Sequence, residues 1–125
     1  HECCSGRPSC RPGCVGRMKR GNLVSVAPQG EFGKPRPALV IQTDRLGDHP
    51  SVTVMLLSST LMDAPLIRVT IQPTQENGLK KPSQVMVDKL MTFRRDKIGP
   101  AIGQIDSATL IEVERCLMIF LGIAP

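Results

Sequence analysis

Residues 38–57 read ALVIQTDRLGDHPSVTVMLL, and their pattern indicates a β fold. Its two ends, 38–43 and 52–57, are rich in β-branched and aliphatic residues. Between them lies a polar turn over 44–50 that contains Gly47 and Pro50. Apolar runs of this length that are bounded by turn residues predict strands. We therefore predict two strands joined by a turn, the first of them buried on both faces.

The strand pattern extends in both directions from this stretch. Residues 28–35 contain two Gly and two Pro, which predicts a loop. Alternating or β-branched runs predict four more strands, at 23–27, at 66–71, at 84–87 with Asp88 at its end, and at 98–102.

One helix is predicted near the end of the chain. Asp106 suits the N-cap position, with Ser107 as the competing choice, and Gly122 suits a left-handed C-terminal cap. Apolar residues recur at helical spacing and almost encircle this segment. Short strands followed by one helix predict a mostly β fold, a small antiparallel barrel or curled sheet with the helix packed on it. A helix so widely apolar should bury against more than its own sheet, so we expect a homodimer.

Composition limits the classes of function. The 125 residues are 41% hydrophobic and 22% charged, as in a single globular domain, and no apolar run reaches the roughly 18 residues of a membrane-spanning helix. The formal charge of +5 favours anionic partners. With no Trp, no Tyr and three Phe, a broad aromatic stacking platform for nucleic acid is excluded.

Residues 1–17 differ from the rest because they hold four of the five Cys and almost no other apolar residue. Cys3, Cys4, Cys10 and Cys14 with His1 could form a zinc cluster, but paired C-x2-C knuckles are missing. We favour a flexible leader outside the fold, with the domain over 18–125. The remaining Cys116 lies in the helix pattern and is expected to be buried. Because nothing demands a disulfide, a reducing cytoplasm fits.

Several kinds of active site are excluded from Met18 onward. The single His49 cannot supply a histidine triad or a His pair. No glycine-rich phosphate loop and no acidic cluster for paired magnesium ions is present in the sequence. We therefore expect chemistry without a metal or cofactor, or binding alone.

Three residues at predicted strand ends are candidates for a site. Arg36 lies between Pro35 and Pro37, which would hold its guanidinium on a rigid backbone as a fork for phosphate. Ser58 follows the third strand and could reach the same edge, and Asp88 could orient either group. The alternatives are a solubilising arginine, a strand-terminating hydroxyl and a turn-capping carboxylate.

Five blocks together carry a family resemblance. They are KRGN at 19–22, GKPRPALVIQ at 33–42, VMLLSST at 54–60, VMVDKLMT at 85–92, and IG-x-ID followed by LGI at 102–123. In this order and spacing the chain resembles the MazF/PemK-type toxins of bacterial toxin–antitoxin pairs, over residues 18–123. The resemblance implies an SH3-like barrel with a C-terminal helix and a homodimer. It also implies a sequence-specific endoribonuclease that cleaves single-stranded mRNA and is inhibited by an antitoxin with an acidic tail.

The resemblance assigns the catalytic positions to Arg36, Ser58 and Asp88. The chain has Met86 and Met91 where many members have arginine. Under this hypothesis the RNA 2′-OH attacks its own phosphate, with Arg36 stabilising the charge that develops. The residues expected to bind RNA are Phe32, Lys34, Lys80, Lys81, Lys89, Arg94 and Arg95.

Two other functions remain open at this point. One is a gyrase poison of the CcdB type, whose ending is faintly similar to residues 120–125, although this chain lacks its Trp. The other is a non-catalytic barrel that binds RNA or a protein. The Arg36-Pro37 block favours the ribonuclease.

Overall fold

The computed structural model describes residues 18–27 and 34–124, which form one antiparallel sheet and one α-helix. The strands are β1 (Asn22–Val26), β2 (Arg36–Val40), β3 (Ser51–Ser58), β4 (Arg68–Ile71), β5 (Ser83–Arg94) and β6 (Ala101–Gln104), and the helix is α1 (Ser107–Phe120). Short 3-10 turns lie at Asp44–Leu46 and Arg95–Lys97. The mostly β fold with a single late helix is confirmed.

The six strands pair in the order β4-β5-β3-β2-β1-β6, and every pair is antiparallel. Register shifts occur between Leu23 and Val24 and between Met55 and Leu57. Such irregularities increase local twist and bend a sheet. The result is a curled half-barrel.

Alternate residues of the strands enter two separate hydrophobic clusters. Leu23, Leu39 and Met55 pack together with Val113 and Cys116 of α1, and all five side chains are fully buried. Their neighbours on the other face form the second cluster, which contains Val24, Ala38, Val40, Val52 and Val54. β2 is therefore buried on both faces, as its continuous apolar run predicted.

Helix α1 has the predicted caps. Asp106 is the N-cap residue, and its carboxylate accepts a hydrogen bond from the Thr109 hydroxyl. At the other end Gly122 has φ +77°, and the Ile123 N–H donates to the Met118 carbonyl at 2.9 Å. These two features define a Schellman cap. Several apolar side chains of the helix and its cap remain exposed, namely Ile111, Met118, Phe120, Leu121 and Ile123.

Four strand boundaries differ from prediction. β5 runs for 12 residues, because β3 offers it a partner as far as Ser51, so Asp88 lies within the strand and not at its end. β2 begins at Arg36 and ends at Val40, which leaves Ile41–Thr43 outside it. β4 begins only at Arg68, since 64–67 form a hydrogen-bonded turn. β6 begins at Ala101, beyond Pro100, which has no N–H to donate.

Three predictions lie wholly or largely outside the described residues: the 1–17 leader, the loop over 28–35, of which only 34–35 are described, and the loop residue Phe32. Within the described ranges, no helix is long and apolar enough to cross a bilayer. No three His, Cys, Asp or Glu side chains in these ranges are grouped so that they could share a metal ion. Cys116 is a buried free thiol, as predicted.

Candidate active site

A cleft of about 490 Å³ lies where the start of β2 meets the end of β3 and the segment 79–83. Its lining includes Arg36, Ser58, Lys34, Lys80 and Lys81. These five residues come from three separate parts of the chain. The structure thus brings together two of the three predicted catalytic residues and three of the predicted RNA-binding residues.

The pairing of β2 with β3 explains why Arg36 and Ser58 meet. Ala38 lies opposite Leu56 in this antiparallel pair. In an antiparallel pair the start of one strand lies beside the end of the other, so Arg36, the first residue of β2, is at the same end of this pair as Ser58, the last residue of β3. Because side chains alternate along a strand, both residues share the sheet face of Ala38 and Leu56. Both are half-buried.

Local backbone structure orients each of these two side chains. Arg36 is the first residue of β2 and lies between two prolines, each of which fixes φ near −65°. The Ser58 Oγ accepts a hydrogen bond from the Thr60 N–H at 3.0 Å. The guanidinium therefore leaves a stiff backbone, and the hydroxyl is held in a turn at the end of β3.

The electrostatic character of the cleft is cationic. Its described lining contains Lys34, Arg36, Lys80 and Lys81, and no carboxylate. The three lysines are exposed. Leu57 and Leu79 supply apolar surface between the charged groups. Such a surface suits a phosphate backbone, which is bound largely through Lys and Arg charges.

Asp88 does not line this cleft. Its Oδ1 accepts a hydrogen bond from Arg68 Nη1 at 3.0 Å, and its Oδ2 lies 4.0 Å from Lys89 Nζ. The expectation that Asp88 ends the fifth strand is wrong, because β5 continues past it to pair with β3. Met86, two residues before Asp88, is buried in the second hydrophobic cluster.

Lys89 lies on β5 beside Leu90, the partner of Met55, and is not in the cleft lining, whereas Arg94 and Arg95 lie at the far end of β5 from the cleft. In the pairing of β3 with β5, Ser58 lies opposite Gln84 and Ser51 lies opposite Arg94. Seven residues of β3, or about 23 Å, therefore separate the cleft end of this pair from the end that holds Arg94. Arg94 forms an ion pair with Asp96 at 2.8 Å. Arg95 Nε donates to the His49 carbonyl at 2.8 Å.

Sequence reasoning missed two residues close to this region. Gln84 is a buried polar residue directly opposite Ser58, and Arg68 is the partner of Asp88. The sequence does not single out either residue. Gln84 lies within a predicted strand, and Arg68 is an ordinary polar residue on the alternating pattern of another predicted strand. Only the pairing of β5 with its neighbours shows their partners.

Comparison with known proteins gives concordant matches. The family model for the PemK-like, MazF-like toxin of type II toxin–antitoxin systems matches residues 19–121. A protein of Mycolicibacterium smegmatis named probable endoribonuclease MazF is 40% identical over 108 residues, which are 86% of this chain and 99% of that protein.

Solved structures share the fold at lower identity. A mycobacterial endoribonuclease in complex with its cognate antitoxin has a TM-score of 0.74 at 21% identity. A MazE–MazF complex from Deinococcus radiodurans has a TM-score of 0.70 at 23% identity. In both comparisons the match covers 86% of this chain and 98% of the other. The chain belongs to the PemK-like, MazF-like toxins of type II toxin–antitoxin systems.

Proposed function

We propose that this toxin is a sequence-specific endoribonuclease that cleaves single-stranded mRNA without a metal ion and so inhibits translation and growth. The observation that carries the proposal is that Arg36 and Ser58 line the same cleft as three lysines. The name of the Mycolicibacterium smegmatis relative supports the same activity.

The proposed reaction uses a nucleophile that belongs to the substrate. The RNA 2′-oxygen attacks the adjacent phosphorus, and the bond from phosphorus to the 5′-oxygen breaks. The 2′-OH gives up its proton and the 5′-oxygen gains one, which leaves a 2′,3′-cyclic phosphate and a 5′-OH. Because the attacking group is a neighbouring hydroxyl of the same chain, no metal-bound water is required, and DNA is not a substrate.

The roles of the protein groups follow from their chemistry. The Arg36 guanidinium is a cation that can donate two parallel hydrogen bonds to the phosphate as negative charge develops there. The Ser58 hydroxyl hydrogen-bonds to the phosphate or to the 2′-OH. Lys34, Lys80 and Lys81 neutralise neighbouring phosphates. In this proposal Asp88 does not touch the RNA and contributes only by pairing with Arg68. Lys89, Arg94 and Arg95 contact RNA that extends beyond the cleft.

The proposed partners complete this function. One similar solved structure is described as an endoribonuclease in complex with its cognate antitoxin, and an acidic antitoxin tail would match the cationic cleft in charge. The exposed apolar side chains of α1 suit a second copy of the chain, giving a homodimer. The proposed substrate, mRNA, places the protein in the cytoplasm.

The test is cleavage of a long single-stranded RNA by the purified protein in EDTA, with the fragment ends mapped. We expect discrete cuts with 5′-OH ends. Arg36→Ala should slow cleavage about 100-fold or more, the usual effect of losing one charge-stabilising donor. Arg45→Ala is the matched control, because it removes one exposed arginine outside the cleft and should leave the rate unchanged.

This assay and a gyrase reaction together distinguish the ribonuclease from the gyrase poison and from the binding module. Intact RNA together with trapped, cleaved DNA in a gyrase reaction would indicate a gyrase poison of the CcdB type. Intact RNA with no effect on gyrase would indicate a binding module. Cleavage that persists in Arg36→Ala would leave the ribonuclease standing but would show that the site assignment is wrong.

A further inference from the structure

The side chain of Gln84 binds the backbone of the segment that follows Ser58. Gln84 lies on β5 and is 5% exposed. Its Oε1 accepts a hydrogen bond from the Met62 N–H at 2.9 Å, and its Nε2 donates to the Met62 carbonyl, also at 2.9 Å. The same Nε2 lies 3.1 Å from the Thr70 Oγ1. The amide thus pairs with Met62 as a peptide group of a neighbouring strand would.

This contact fixes the far end of a short segment that forms one wall of the cleft. β3 ends at Ser58, and Ser59 and Thr60 line the cleft. The segment is held at one end by β3 and at the other by the bonds of Gln84 to Met62. Between these two points, the Thr60 N–H donates to the Ser58 Oγ. A shift of Met62 would therefore move the donor that orients the Ser58 hydroxyl.

We propose that Gln84 is a positioning residue of the active site, which sets the Ser58 hydroxyl and the 59–62 wall through the backbone of Met62. The inference rests on the proposed ribonuclease function. Gln84 does not line the cleft, so its effect reaches the site through the backbone of Met62 and then through Thr60 and Ser58. Its loss should therefore impair the chemical step more than RNA binding, because the lysines that contact the phosphates stay in place.

The chain contains a matched control for this role. Gln42 Nε2 donates to the Ser51 carbonyl at 2.9 Å, and its Oε1 accepts from the Thr53 N–H at 3.0 Å. This is the same kind of two-bond contact between a glutamine amide and backbone groups. It lies at the start of β3, whereas Ser58 is the last residue of that strand.

The experiment compares Gln84→Met with Gln42→Met, which remove the two amide contacts and retain side-chain length. For each, kcat and KM are measured on a short RNA that contains the cleavage site. For Gln84→Met we expect kcat to fall about 10- to 100-fold, the range that small misplacements of reacting groups produce, with KM changed less than about threefold. For Gln42→Met we expect both constants within about twofold of the wild type.

Hydrogen exchange supplies a readout that does not depend on activity. Gln84→Met should speed exchange of the Met62 and Thr60 amides about tenfold or more, and Gln42→Met should leave them unchanged. If Gln84→Met fails to fold, Gln84→Asn and Gln42→Asn, which keep a neutral amide but are one methylene too short to make both backbone bonds, take the places of the methionine variants with the same expected contrast.

Two results would overturn the inference. If Gln84→Met matches Gln42→Met in kcat and in exchange while Arg36→Ala is inactive, Gln84 has no positioning role and the ribonuclease function stands. If the wild type leaves RNA intact, the proposed ribonuclease function is wrong. The positioning role of Gln84 in catalysis is then wrong as well, whatever the hydrogen-exchange rates of Met62 and Thr60 are.

Discussion

The carboxylate of Asp88 pairs with the Arg68 guanidinium, and neither residue lines the cleft. The Arg68 side chain is only 10% exposed, and that of Asp88 is 24% exposed. A partly buried guanidinium that loses its partner is destabilising, because its desolvation is no longer offset. The pair therefore stabilises the contact between β4 and β5.

A double-mutant cycle tests this role of the pair. Asp88→Asn and Arg68→Met should each lower the free energy of unfolding by about 1–3 kcal/mol, with a coupling energy of about 1–2 kcal/mol. Urea denaturation measures these values. A cleavage rate that falls more than 100-fold in a stable Asp88→Asn protein would instead make Asp88 a catalytic residue, as the family resemblance implied.

The buried thiol of Cys116 gives a pH-dependent prediction. Burial raises the pKa of this thiol, and the Glu112 carboxylate, 3.8 Å from its Sγ, raises the pKa further, whereas Arg115 opposes the change. The folded state keeps the proton when the unfolded thiol, with a pKa of about 8.5, has lost it. Stability is therefore fully present below that pH and declines as the pH rises toward the raised folded pKa.

Cys116→Ala should remove this decline. In urea denaturation with a reductant, the free energy of unfolding of the wild type should fall more between pH 7 and pH 10 than that of the variant. Equal pH dependence of the two proteins would show that the thiol titrates alike in the folded and unfolded states.

At the scale of elements, β6 and the loop before β5 are packed too closely for a side chain at Gly103. A Cβ there would lie 2.4 Å from the Glu76 carbonyl oxygen and 2.5 Å from the carbonyl carbon of Asn77. The Gln104 N–H also donates to the Glu76 carbonyl at 3.0 Å. This contact anchors the loop that continues into Lys80 and Lys81, so it joins the edge of the sheet to the cleft.

Substitution of Gly103 tests the effect of a packing clash, and substitution of Gly122 tests the effect of backbone strain alone. Gly103→Ala should lower the free energy of unfolding by about 1–3 kcal/mol through overpacking and should also weaken RNA binding. Gly122→Ala, where a Cβ meets nothing within 4 Å, should cost about 1 kcal/mol through its positive φ alone, with RNA affinity unchanged. Thermal melting and RNA titration give the two readouts. Equal RNA affinity in both variants would mean that β6 does not position the lysines.

At the scale of the whole molecule, the exposed apolar side chains of α1 predict association of two copies. Val113 and Cys116 bury one side of the helix against the sheet. Phe120, Leu121 and Ile123 remain 46%, 52% and 69% exposed. A cluster of this kind on a small domain marks a protein interface.

Sedimentation velocity tests the dimer. The wild type should sediment as a dimer and Phe120→Glu as a folded monomer, because a charge in an apolar interface is costly to bury. Leu46→Glu is the control, since Leu46 has the same 46% exposure but lies on a 3-10 turn. If Phe120→Glu stays dimeric, the interface lies elsewhere on the molecule.

Features that depend on neighbours along the chain could be predicted before the fold was known. β1, β3 and the caps of α1 follow from local alternation, Asp106 and Gly122, and their positions are as predicted to within one residue. Arg36 and Ser58 could be chosen as site candidates because Arg36 precedes a predicted strand and Ser58 follows one. Their meeting depends only on the antiparallel pairing of two consecutive strands.

Features that depend on partners distant in sequence could not be predicted, because they are set by the packing of the folded chain. The length of β5 is set by its pairing with β3, which keeps residues 88–94 in a strand although polar and apolar side chains are mixed there. That pairing places Arg94 and Arg95 away from the cleft, and the turn before β4 places Arg68 beside Asp88. The bonds of Gln84 to Met62 span 22 residues. Strand register is fixed by the packing of the whole sheet, and no local pattern of residues specifies it.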